Sequence, residues 1–261
     1  MQVTDIRARH IKGCIENGKF EFRGEIRTPS PNVKSSIKTL FNLMLDYALE
    51  YELVEKNYAR TFVLSQDIKL DKEKQLVEHI SFSNEEMDIL WSNYENTQNM
   101  DLILIQCYTG LRPQEIGLIE LKNVDLENHY FVGGLKTEAG KDRTVPIHSK
   151  IYPLIKDRYE KSSQIGSKYL ITVTHGKTKE YVMLGYERYR FIFKSIIKSY
   201  NLNPNHRPHD GRKHFITKAK EYNVNEFAIK YIVGHAISDI TEKVYTERNI
   251  KWLIEEIERI K

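Results

Sequence analysis

The stretch from Ser65 to Glu78 is polar and charge-rich with few apolar anchors, the composition of a connector rather than of a packed element. A helix-start signature follows it: Ser83 as a cap, Glu85 and Glu86 in the first turn, then Met87, Leu90 and Trp91. The chain is therefore expected to divide into a short first domain, residues 1–72, and a larger second one, residues 80–261. A length of 261 residues accommodates two such units.

Ahead of the break, Val33, Ile37, Leu40, Phe41, Met44, Ala48 and Tyr51 recur at the spacing that puts apolar groups on one helix face. That predicts a helix from Val33 to Leu53, led in by the turn Thr28-Pro29-Ser30-Pro31 and capped by Asn32. A shorter helix is expected over Asp5 to Ile15, with Thr4 as its cap. Beyond the break, a helix is expected from Met100 to Tyr108. Tyr130–Lys136 and Arg143–Ile147 then suggest a hairpin turning at Glu138–Lys141, with Gly140 supplying a positive φ. Helices return from Tyr186, one of them bracketed by Asn225 and Gly234. The expected fold class is mainly α with a small antiparallel β-sheet, an α+β arrangement.

Hydrophobic residues make up 40% and charged residues 29% of the chain, enough for a core under a solvated surface, which excludes a disordered or collagen-like protein. No apolar run approaches the roughly 18 to 20 residues of a membrane-spanning helix, and the N-terminus has no apolar segment of a signal peptide. A soluble, cytoplasmic protein is expected. Cys14 and Cys107 cannot build a disulfide framework or a four-thiolate zinc site. The net charge is only +4, but residues 186–220 hold nine Lys and Arg against Glu187 and Asp210, an excess of seven positive charges. Such a concentration suits a polyanion, but on charge alone a solvated helix face is the favoured reading.

Four short segments carry residues of chemical interest: Thr109-Gly110-Leu111-Arg112-Pro113-Gln114-Glu115, Leu135-Lys136-Thr137, His209-Asp210-Gly211-Arg212, and Gly234-His235 followed by Tyr245. Singly, each has an ordinary explanation: a surface arginine, a solvated lysine, a salt-bridged histidine, a packing tyrosine. Together and in this order they resemble the tyrosine recombinase, or phage integrase, family. The pattern is Gly110-x-Arg112-x-x-Glu115, a hairpin lysine, His209-x-x-Arg212, Gly234-His235, and a tyrosine ten positions after that histidine. It spans the whole second domain.

The resemblance implies a tyrosine-recombinase-like catalytic domain preceded by part of a helical core-binding domain. It implies a site-specific DNA recombinase of a phage or integrative element that cuts and rejoins strands through a 3′-phosphotyrosyl intermediate. Tyr245 would be the nucleophile. Arg112 and Arg212, supported by His235, would bind the phosphoryl oxygens, which suit the fixed N–H fork of a guanidinium. His209 would take the tyrosine proton, Lys136 would protonate the leaving 5′-oxygen, and Glu115 would orient Arg112 from one helical turn away. No metal, ATP or other cofactor is expected; the three nearby histidines His206, His209 and His214 lack a neighbouring cysteine for zinc. The expected partners are double-stranded DNA, further copies of the chain in a dimer to tetramer synapse, and accessory DNA-bending proteins. Bound to DNA, the protein would be nucleoid-associated. Lys34, Arg188, Arg190 and Lys194 are candidate DNA contacts. The apolar stripe Ile250, Leu253, Ile254, Ile257 and Ile260 would either cover its own domain or, as the segment 249–261, dock on a neighbouring protomer.

The chain departs from the family pattern in having Gly211 where leucine is common and Lys213-His214 where His-Thr or His-Ser is common. Its first domain is short for a whole core-binding domain and leaves no room for an arm-site-binding domain, as expected of a fragment of a longer integrase or of a gene that has lost its start. Two further readings fit the same residues: a type IB topoisomerase-like nicking and resealing enzyme, and a DNA-binding remnant without catalysis.

Overall fold

Helix α1 (Ala8–Asn17) starts at Arg7 rather than at Thr4, because Val3–Asp5 close a separate 3₁₀ turn ahead of it. In this computed structural model, residues 2–66, 68, 78–134, 140–175, 178, 180–236 and 249–261 are described. Strands β1 (Phe20–Phe22) and β2 (Glu25–Arg27) follow α1 as an antiparallel hairpin not expected from the sequence. Its two-residue turn places Arg23 and Gly24 at φ 55° and 81°, the left-handed geometry that matches strand twist. Helix α2 (Pro31–Glu50) is capped by Ser30, whose hydroxyl accepts from the Val33 amide at 3.4 Å. Pro31 sits at the first helical position, where a missing N–H costs nothing. Asn32, the expected cap, therefore lies inside the first turn.

Contacts divide the chain into two compact units, Met1–Glu78 and His79–Lys261. The first unit has a small core of Ile11, Ile15, Leu45, Ala59 and Ile68. Ile68 belongs to the stretch read as a connector; its side chain is nonetheless buried with α1 and α2.

The second unit opens with α3 (Asn84–Asn93), held by reciprocal bonds: the Glu86 amide donates to Ser83 Oγ and the Ser83 amide to Glu86 Oε2. Helix α4 (Asp101–Thr109) is buried from Leu102 to Thr109 and forms the centre of the core. It ends at Gly110 in the left-handed region, φ 63°. A Cβ there would lie 2.6 Å from the Phe215 ring, so this turn needs glycine for both its φ and its packing. After the short α5 (Pro113–Ile116) come strands β3 (Val124–Asp125), β4 (Tyr130–Gly133) and β5 (Arg143–Pro146) in sequential antiparallel order, with Phe131 opposite Val145 and Gly133 opposite Arg143. Among the described residues of this hairpin, Gly134 and Asp142 have positive φ and Gly140 does not.

Helix α6 (Tyr152–Gln164), the hairpin of β6 (Thr172–Thr174) and β7 (Tyr181–Met183), and helices α7 (Tyr186–Ser199), α8 (Asp210–Glu221) and α9 (Glu226–Val233) complete the central body. Asn225 caps α9 through the Phe227 amide at 2.9 Å, and Gly234 closes it at φ 70°. Helix α8 packs along α4, while α9 and the last helix, α10 (Ile250–Ile257), pack on β5. Leu253, Ile257 and Ile260 are buried in this unit's own core, and the Asn225 amide donates to Glu256 Oε2 at 2.6 Å. Of the stripe, these three residues cover their own domain, while Ile250 and Ile254 are half-buried. Among the described residues no helix is long and apolar enough to cross a membrane. The fold is mainly α with small antiparallel sheets.

Candidate active site

The turn that ends α4 presents Arg112. Its extended backbone makes it the cap of α5, and Pro113 then starts the helix. The Arg112 amide donates to Glu115 Oε2 at 2.8 Å and its Nη1 to Glu115 Oε1 at 2.9 Å, so the residue three positions on holds both backbone and side chain. Arg112 Nη2 donates to the Gly234 carbonyl at 3.3 Å, tying this turn to the end of α9.

Glu115 has a second cation, which the sequence reading missed. Arg143 on β5 donates from Nη1 to Oε1 at 3.2 Å and from Nη2 to Oε2 at 2.9 Å, and both side chains are 1% exposed. Arg143 also donates from Nε to the Ile232 carbonyl and from Nη1 to the Gly140 carbonyl. It thus ties the end of the β4–β5 loop, α5 and the end of α9 together. Its partner lies 28 residues away in the chain, which no local pattern reveals.

Arg212 lies on α8, buried at 6% exposure. Nη1 donates to the Gly110 carbonyl at 2.7 Å, but Nη2 is buried without a hydrogen-bond partner among the described residues. Burial first, then the positive charge of Arg112, pull its pKa down to about 10. Glu115 pairs with Arg112 and Arg143, and its charge also favours the Arg212 cation, though less than burial and Arg112 oppose it. A buried cation with an unsatisfied donor is costly and is retained where an anion is to be received.

His209 and His235 are drawn into the same field. Burial lowers the His209 pKa below the usual histidine value, and the charges of His79, Arg212 and Arg112 lower it further. His235, on the residue after the left-handed Gly234, is lowered by partial burial and then by Arg212, Arg112 and Arg143. Both rings are neutral at neutral pH, when an imidazole can accept a proton. Beside His209, Asp210 is almost fully buried and accepts from the Arg207 amide at 2.9 Å, with His79 Nδ1 at 2.8 Å and His206 Nδ1 at 3.1 Å. His206 also faces Glu86, and His214 Nδ1 lies 3.2 Å from the Phe82 carbonyl. These two histidines are spent on internal contacts of the fold.

Arg112, Arg212, His209, His235 and Glu115 thus converge. Lys136 and Tyr245 lie outside the described residues. Arg188, Arg190 and Lys194 stand exposed on α7, opposite the buried Tyr189, Ile192, Phe193 and Ile196. Arg190 pairs with Glu187 at 2.7 Å, and Arg188 lies over the Phe191 ring. Lys34 is half-buried on α2 of the first unit.

Residues 72–251 match the phage integrase family. The chain belongs to that family. Among curated relatives, the transposase from transposon Tn916 of Enterococcus faecalis is 26% identical over 258 residues, covering 88% of this chain and 60% of the relative. The transposase from transposon Tn1545 of Streptococcus pneumoniae matches to the same extent. The chain therefore spans about three fifths of the length of these relatives. Among solved structures, the Tn1549 transposon integrase in complex with circular intermediate DNA superposes with a TM-score of 0.68 at 17% identity, covering 98% of this chain and 86% of that one. A lambda integrase dimer bound to a COC′ core site gives 0.60 at 12% identity, covering 95% and 82%. These likenesses place the fold of this phage integrase family chain among those of tyrosine recombinases.

Proposed function

We propose that this chain is a tyrosine-type site-specific DNA recombinase of a mobile element. It cuts and rejoins double-stranded DNA through a 3′-phosphotyrosyl intermediate. The observation that carries the reading is Arg212: a buried guanidinium in the field of Arg112, whose Nη2 has no hydrogen-bond partner among the described residues. A phosphodiester passing through an in-line displacement gathers negative charge on its equatorial oxygens, and Arg112 and Arg212 supply fixed donors for it.

In the proposed step the Tyr245 oxygen attacks phosphorus, the bond from phosphorus to the 5′-oxygen breaks, and the 3′-phosphate stays on the tyrosine. The phenol proton passes to His209, kept neutral by its surroundings, and Lys136 gives a proton to the departing 5′-oxygen. Attack by a 5′-hydroxyl of another strand reverses each transfer, so bond energy is conserved and no ATP is consumed. His235 supports the phosphate-binding arginines, and Glu115 holds Arg112 in place. Residues 80–261 act as the catalytic domain and residues 1–72 as part of a core-binding domain. Lys34, Arg188, Arg190 and Lys194 serve as DNA contacts, and strand exchange takes place between copies of the chain paired on DNA. The Tn1549 and lambda proteins matched above are seen in complex with DNA, which supports the same partner here.

The test is a nicked duplex from the junction of the element that encodes the chain, built so that cleavage releases a short fragment. An SDS-resistant adduct mapped to Tyr245, and lost in Tyr245→Phe, is the expected result. Salt-sensitive binding without an adduct would leave a DNA-binding remnant instead. Single-turnover rates should fall on the acid side below the ordinary histidine pKa of about 6.5, because the His209 value is lowered and its neutral form is the base.

A further inference from the structure

Gln106 is a fully buried polar side chain on the most enclosed helix of the protein, and no step of the strand transfer uses it. Both ends of its amide are occupied. Nε2 donates to the Leu111 carbonyl at 3.1 Å, and Oε1 accepts from the Tyr189 hydroxyl at 2.6 Å, offered by the buried face of α7. Leu111 immediately precedes Arg112. Its carbonyl is the neighbour of the Gly110 carbonyl that takes Arg212 Nη1. The third contact is steric: a Cβ on Gly211 would fall 2.5 Å from Gln106 Oε1 and 3.0 Å from Cδ. The α8 backbone, one residue before Arg212, therefore lies directly on the amide. One side chain abuts the peptide ahead of each arginine of the proposed phosphate clamp.

We propose that Gln106, held by Tyr189, is a positioning residue that sets the spacing of Arg112 and Arg212 around the scissile phosphate. The inference rests on the strand-transfer reading given above. Burial alone does not call for an amide here, since an aliphatic side chain of similar volume would fill α4 without polar atoms to satisfy. What the amide adds is direction. Its two ends fix the turn carrying Arg112 relative to α7, and its oxygen end gauges how closely Gly211 brings α8. Tyr189 stops the amide from swinging aside, because rotation would strand both a buried hydroxyl and a buried carbonyl. A clamp displaced by about 1 Å forfeits much of its effect on rate.

The experiment measures adduct formation on the nicked duplex at saturating protein, together with DNA affinity and Tm, for the whole chain and for Gln106→Leu, Tyr189→Phe and the double variant. The expected result is a single-turnover rate lowered on the order of ten- to a hundredfold in each single variant. DNA affinity should stay within about twofold. The double variant should be no slower than the worse single one, because both cut the same relay. Tyr189→Phe removes one oxygen from a core ring and keeps the chain folded at the assay temperature should Gln106→Leu prove unstable. Wild-type rates in both variants, with only Tm lowered, would make the pair a packing feature and overturn the proposal. A wild-type chain that forms no adduct would fail the strand-transfer reading itself, and the positioning role with it.

Discussion

Two buried carboxylates flank the candidate site, and they are neutralised in opposite ways. Glu115 is gripped by two guanidiniums, Arg112 and Arg143, the side-chain type that serves as a fixed positive charge in proteins. Asp210 is surrounded instead by His79, His206 and a backbone amide. Burial raises its pKa, but the bonds from His206, Arg207 and His79 outweigh that and leave it lowered. His206 shows the mirror effect: burial disfavours its charge, and the Asp210 and Glu86 carboxylates more than restore it. The Arg112 side of the site is thus held by permanent charge and the His209 side by titratable charge. The first fixes geometry under all conditions; the second makes the base's surroundings depend on protons.

The sharpest way to break this contrast is Glu115→Gln. It leaves Arg143, 1% exposed, without its anion, and unfolding by denaturant should show a loss of about 3–5 kcal/mol that is the same at about pH 5.5 and about pH 8.5. A loss that differs between those two pH values would contradict the permanent-charge account. Arg212→Met should do the reverse. Burial and Arg112 oppose its charge more than Glu115 favours it, so stability should change little, while adduct formation drops by the equivalent of about 2.7–4 kcal/mol. A strongly destabilised Arg212→Met protein would mean that Glu115 and the Gly110 carbonyl hold the guanidinium more than burial opposes it.

Asp210→Asn should cost about 1–3 kcal/mol, and here pH matters. A raised His206 pKa adds stability that is complete below the ordinary histidine value and fades as pH climbs through the raised one. A lowered Asp210 pKa adds stability present above the ordinary carboxylate value and lost as pH drops through the lowered one. The gap between wild-type and variant Tm should therefore be wide near pH 5.5 and narrow near pH 8.5; an equal gap at both would refute the titratable account. Ser83→Ala, which removes the hydroxyl capping α3, should cost about 1 kcal/mol with no comparable pH trend. It serves as the reference against which the Asp210 trend is read.

Features written locally were legible in the sequence. The Ser83 cap, the Asn225 and Gly234 brackets and the central hairpin each depend on residues a few positions apart, and side-chain chemistry alone selects them. Asn32 failed as a cap because Ser30 is also a capping residue, and Pro31, well suited to a first helical position, decides between the two. The β1–β2 and β6–β7 hairpins are more instructive. Phe20–Phe22, Glu25–Arg27 and Tyr181–Met183 are exposed throughout, so a clear buried-face alternation was missing; Arg23-Gly24 was the available signal for the first hairpin. At the site, motif order assembled Arg112, Arg212, His209, His235 and Glu115. Arg143 and His79 could not be found that way, because each acts on a carboxylate far off in the chain. Long-range pairing is set by packing, and packing has no fixed spacing in sequence.

The close seating of Gly211 on Gln106 also bears on how this chain can change over generations. Any residue larger than glycine at 211 places its Cβ against an amide that is itself tethered, so a leucine cannot enter there while Gln106 and Tyr189 remain. Conversely, shrinking position 106 first opens a void under α8. Each single substitution passes through a poorer protein, and only paired replacement avoids it. The two positions are therefore expected to vary jointly among descendants of this sequence, so a mutation's effect at either one is defined only once its counterpart is stated.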